Sequence, residues 1–136
     1  MSQNHKTQAK HNEKLLCGSC FPDPCNSLNN VNYKDWNITI VFYEALHYVQ
    51  SYLWKNRAVY GYRTFFKNHT DRNNYLADLS KTDQRVAAIL SDYVGLFKAS
   101  CVSRYDPRSY ATFQQKEICD YKIFAMKTLP KTLGLT

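Results

Sequence analysis

A chain of 136 residues with 44% hydrophobic residues is the size of one domain and holds enough apolar material for a real core. Gly and Pro number four each, too few for a turn-rich all-β fold. No apolar run approaches the roughly 20 residues that a membrane-spanning helix needs, so no membrane contact is expected. The formal charge is +7. It is not a tail, because residues 1–34 carry four Lys and two acids while residues 35–136 carry fourteen Lys or Arg and nine acids. A basic body favours phosphate-bearing partners, and a merely Lys-rich solvated surface is the plain alternative.

Residues 1–34 read as a separate polar arm, rich in Asn, Lys, Ser and Gln. Its first sixteen residues lack the apolar stretch of a signal peptide. Five Cys, an odd number, then point to a reducing, cytoplasmic setting. "CGSCFPDPC" spaces Cys17, Cys20 and Cys25 as a partial zinc knuckle. Zn²⁺ needs four N or S ligands, and His11 or His5 is available as the fourth. Reduced thiols or a disulfide are the alternatives.

Asp35 reads as an N-cap, and "DWNITIVFYEALHYVQSYLWKN" follows. Ile38, Val41, Phe42, Ala45, Val49, Tyr52 and Leu53 recur at helical spacing, with Glu44, His47, Gln50 and Ser51 off that stripe. The pattern predicts an amphipathic helix over 36–56. "RAVYGYRTFFKNHT" is a connection broken at Gly61, whose aromatic pairs can pack back on the helix.

Asn68 or Thr70 can cap a short helix over 70–79 with Tyr75, Leu76 and Leu79 inward. Ser80 with Asp83, or Thr82, can cap the next, over 82–103, which carries Val86, Leu90, Tyr93, Val94, Phe97 and Cys101 on one stripe. "RYDPRSY" ends it before Pro107. A last helix is predicted over 110–128, with Phe113, Ile118, Tyr121, Phe124 and Ala125 apolar and with Pro130 and Gly134 as stops. Cys101 and Cys119 fall on apolar faces and read as small core residues. The whole is an all-α, antiparallel four-helix bundle over residues 35–136 preceded by the arm.

Three polar segments stand out. In "HTDRNNYL", His69 and Arg72 are three apart and share a helical face, with Asn73 beside them. Such a pair can supply a proton shuttle and a cation for a phosphorane. Otherwise it is a solvated helix start in which Arg72 pairs with Asp71 or Asp78. His47 follows Glu44 by three on the first helix, either as a site member or in a register-locking polar knot with Arg72 and Tyr105. Arg104, Tyr105 and Arg108 end the third helix, where Arg and Tyr can bind phosphate and stack a base, or where Arg simply meets the helix dipole. Arg63 and His69 match Arg-x5-His by count, but Thr64 breaks the pattern.

In order and spacing, "DWNITIVFYEALHYVQSYL", "HTDRNNYL" and "SCVSRYDP" resemble small prokaryotic members of the HEPN superfamily over residues 34–128. The positions that carry the resemblance are Trp36, Phe42, Tyr43, His47, His69, Arg72, Asn73, Ser100, Arg104 and Tyr105. The resemblance implies a helical bundle, often a homodimer, that handles RNA or nucleotides in toxin–antitoxin or antiviral systems. A nucleotidyltransferase-like antitoxin is the common partner. Many members are metal-independent ribonucleases with an Arg-x4-6-His motif late in the domain. Here no His lies beyond residue 69. The expectation is therefore an RNA- or nucleotide-binding regulatory domain that requires no cofactor. The alternatives are a ribonuclease using His69, Arg72 and His47, and a purely structural dimerisation module.

Overall fold

The computed structural model describes residues 34–105 and 115–135. All of the expected apolar stripe on the first long segment lies inside. Ile38, Val41, Phe42, Ala45, Val49, Tyr52 and Leu53 are each buried on α1, Lys34–Lys55. The β-branched residues of α1 cost up to about 0.7 kcal/mol each in helix propensity. Burial of an Ile or Val side chain returns about 1.5–3 kcal/mol, so packing decides the conformation.

The elements that follow are α2 (Arg57–Tyr60), α3 (His69–Leu79), α4 (Gln84–Tyr105), α5 (Gln115–Ile123), a wide π turn (Phe124–Thr128) and α6 (Leu129–Thr132). No strand occurs among the described residues, and the fold is an all-α helical bundle. None of these helices is long and apolar enough to cross a membrane.

α1 is the centre. It packs against α4 on one side and against α5, the π turn and α6 on another, while α3 lies on α4. This arrangement corrects the expected polar face of α1. Glu44, Gln50 and Ser51 lie off the apolar stripe, yet all three are buried, Glu44 completely. A helix covered on more than one side has no solvent face for them. On α4, Val86, Ile89, Tyr93 and Leu96 are buried, while the expected Leu90, Val94 and Phe97 are only partly covered.

Local signals set the helix starts. Asn68, in extended backbone, accepts the Asp71 N–H at 2.8 Å and caps α3. Asp83 caps α4 by accepting the N–H groups of Arg85 and Val86. Ser80, by contrast, turns its hydroxyl back to the Ala77 carbonyl.

The last helix differs from expectation. Pro130 does not stop it but sits in the first turn of α6. Proline has no N–H and its ring crowds the carbonyl four residues back. The preceding π turn, in which Leu129 N–H reaches the Phe124 carbonyl, widens the helix at the place where that conflict falls. Gly134 is the actual stop. At φ 71° it donates to the Lys131 carbonyl, and Leu135 donates to the Pro130 carbonyl, the paired bonds of a Schellman motif. The apolar residue after the glycine, Leu135, is buried, as that motif favours.

Candidate functional site

His69 is the first residue of α3, and its ring packs between α1 and α4. The ring centroid lies 5.4 Å from Phe42, 5.5 Å from Phe97 and 6.3 Å from Tyr43. One turn on, Arg72 is half-buried, and its Nη1 lies 3.1 Å from His69 Nδ1. The guanidinium carries only donors, so the Gln50 amide must present its oxygen. In that orientation Oε1 accepts from Nε at 2.7 Å and from Nη2 at 3.0 Å. The Phe66 ring lies 5.3 Å away under the guanidinium.

The Tyr93 hydroxyl is fully buried beside Arg72 and makes no well-aligned hydrogen bond. Burial pushes the Tyr93 hydroxyl well above its usual pKa, and the neighbouring Arg72 charge pulls it partly back. Burial also lowers Arg72 below the usual guanidinium value, offset by Tyr93 and Asp71.

The expected acid partners of Arg72 are engaged elsewhere. Asp71 binds Arg63 at 3.0 Å and accepts the Lys67 N–H, and these contacts hold its carboxyl below the usual range. Asp78 pairs with Lys81 at 3.6 Å. Arg63 also lies over the Phe66 and Tyr75 rings, so it clamps the connection. Arg72 is thus a half-buried cation whose hydrogen bonds run to neutral groups, with no carboxylate of the described residues in ion-pair contact.

The bond to His69 fixes a tautomer. Since Arg72 can only donate, Nδ1 must accept, and the ring proton then sits on Nε2. The lone pair that a general base needs is occupied by the guanidinium.

His47 is half-buried on α1. Asn73 turns its Oδ1 inward, buried and without a hydrogen bond. Arg104 and Tyr105 form the last turn of α4, and their side chains lie outside what the structure describes, as does Arg108. Cys17, Cys20, Cys25 and His11 also fall outside the described residues, within which no group of three or more His, Cys, Asp or Glu could hold a metal. Cys119, expected as a small core residue, is disulfide-bonded. It is partly covered on α5, and Cys101 is not disulfide-bonded.

A second polar cluster has no local signature in the sequence. Asp83 Oδ2 accepts from Tyr52 at 2.6 Å and from Tyr62 at 2.7 Å, while Oδ1 takes the cap bonds. Partial burial pushes the Asp83 carboxyl up, but these four hydrogen bonds outweigh it and leave the group below the usual range. Burial first, and then the Asp83 charge and hydrogen bonds, raise both tyrosine hydroxyls far above their usual value. Asp83 was legible only as a cap. Its partners lie 31 and 21 residues away.

No family model, curated protein or solved structure matches the chain.

Proposed function

We propose that the chain is a HEPN-like RNA- or nucleotide-binding regulatory domain that holds a phosphate at Arg72 beside His69 without turning it over. A homodimer and a nucleotidyltransferase-like antitoxin partner belong to the same reading. The observation that carries it is the unneutralised Arg72. Gln50 and His69 orient the guanidinium but leave its charge uncompensated, and a phosphate oxygen is the counter-ion such a group would take. The same geometry favours binding over catalysis, because the Nδ1 lone pair is already used.

The test is fluorescence anisotropy of a labelled single-stranded RNA in EDTA, with thermal melts of each variant and a denaturing gel of the RNA. Binding should weaken as salt rises, and no cleavage should occur. Arg72→Ala should bind about 10- to 100-fold more weakly, the worth of a hydrogen bond to a charged group. Cyclic-phosphate products that vanish in both His69→Ala and Arg72→Ala would establish the ribonuclease instead. Unchanged RNA binding with a lower melting temperature in Arg72→Ala would establish the structural module.

A further inference from the structure

Tyr52, Tyr62 and Asp83 help line an open cleft of about 610 Å³ between the end of α1, the connection after α2 and the start of α4. That is the size of a small-molecule site. Asp83 itself is not free to act there, since both its oxygens are taken by the tyrosine hydroxyls and the cap. Its effect is to hold Tyr62 still. Tyr60 then stacks on Tyr62 at 5.4 Å with 28° between the planes, and Tyr60 is 65% exposed. The outcome is a fixed aromatic platform with one open face.

Three polar groups line the same cleft. Arg85 is exposed, makes one long bond of 3.4 Å to the Leu133 carbonyl, and has no carboxylate partner among the described residues. Asn56 commits its amide N–H₂ to the Tyr52 carbonyl at 2.9 Å, leaving its oxygen as an acceptor. Gln84 is exposed and offers both donor and acceptor. A flat face, an unpaired cation and amide edges together select a planar ring that carries an acidic group.

We propose that this cleft holds a nucleotide unit, with its base stacked on Tyr60, its phosphate on Arg85 and its base edge against Asn56 and Gln84. An alkylammonium ligand would also favour tyrosine faces, but it would meet Arg85 and a carboxylate already saturated. The unit can come from a free nucleotide or from one residue of a single strand. The inference uses none of the residues of the Arg72 reading, and either can fail alone.

Isothermal titration of the full chain with adenosine 5′-monophosphate tests it. Binding should weaken by about 5- to 100-fold in Tyr60→Ala, the worth of one base–aromatic stack. Tyr60→Phe should retain it. Arg85→Gln should bring the monophosphate down to the affinity of adenosine, and Arg72→Ala should leave this binding in place. An octaadenylate that binds more tightly than the monophosphate, with the same loss in Tyr60→Ala, identifies the strand as the source. Equal or weaker binding of the octamer identifies the free nucleotide. The proposal is overturned if neither ligand binds, if Tyr60→Ala binds as well as the parent, if only Arg72→Ala loses binding, or if tetramethylammonium binds in place of the monophosphate.

Discussion

Replacing Asp83 with Ala removes one carboxylate that ties together three separate parts of the chain. Tyr52 belongs to α1 and is almost fully buried, so its hydroxyl, 2.6 Å from the carboxylate, loses its partner where water is scarce. A hydrogen bond to a charged group contributes about 1.5–3 kcal/mol. We take about 2 kcal/mol for Tyr52 and about 1 kcal/mol for the half-buried Tyr62, whose hydroxyl can turn to water. The α4 cap, shared between the Arg85 and Val86 amides, contributes about 1 kcal/mol more. The sum is about 4 kcal/mol, or a melting temperature lower by about 12–20 °C in a domain of this size.

The pH dependence has a definite sign. The folded-state carboxyl lies below its unfolded value, so its contribution is present above the unfolded pKa and is lost as the pH falls through the folded one. The gap between parent and variant in urea unfolding should therefore stay level from about pH 7 to 5 and close below about pH 4. A Tyr52→Phe and Asp83→Ala double-mutant cycle should give a coupling of about 1–2 kcal/mol. A total loss under about 1 kcal/mol, or a gap that widens on acidification, would refute the reasoning.

Gln50→Leu keeps the size of the side chain but leaves the Arg72 Nε and Nη2 donors without an acceptor, so unfolding should show a loss of about 2–3 kcal/mol. If Gln50 were mere packing, Leu would match or exceed the parent in stability. Gly134→Ala should cost about 1–2 kcal/mol, because the residue has positive φ and an added Cβ would lie 2.6 Å from Arg85 Nη1. Gly61→Ala, also at positive φ but in open space, should cost about 1 kcal/mol. Chemical denaturation ranks the pair, and the reverse order would discredit the Arg85 contact.

What the sequence reveals here is whatever depends on near neighbours. The α1 stripe, both helix starts at Asn68 and Asp83, and the His69–Arg72 adjacency all follow from spacings of one turn or less. The partners that give those groups their character do not. Gln50 lies twenty-two positions before Arg72, and Tyr52 lies thirty-one before Asp83, so which acceptor meets which donor depends on how the helices pack. Glu44 and Ser51 read as a solvent face only if α1 is covered on one side, and it is covered on more. Pro130 reads as a stop under regular α geometry, and the π turn before it removes that assumption.

The placement of charge links the two sites. Around them the acids are drawn into internal or local bonds. Asp71 serves Arg63 and a backbone amide, Asp78 meets Lys81, Asp83 is held by two tyrosines and two amides, and Glu44 is buried. Three other arginines are held by neutral groups instead. Arg57 lies 3.6 Å above the Trp54 ring, Arg72 rests on Gln50 and His69, and Arg85 on a backbone carbonyl. A neutral partner orients a guanidinium without cancelling its field, whereas a carboxylate does both. The excess of +7 is therefore not only a loose Lys-rich surface. Part of it is held in oriented arginines, and Arg57 and Arg72 lie against aromatic rings, an arrangement that suits the phosphate-bearing aromatic ligand proposed above.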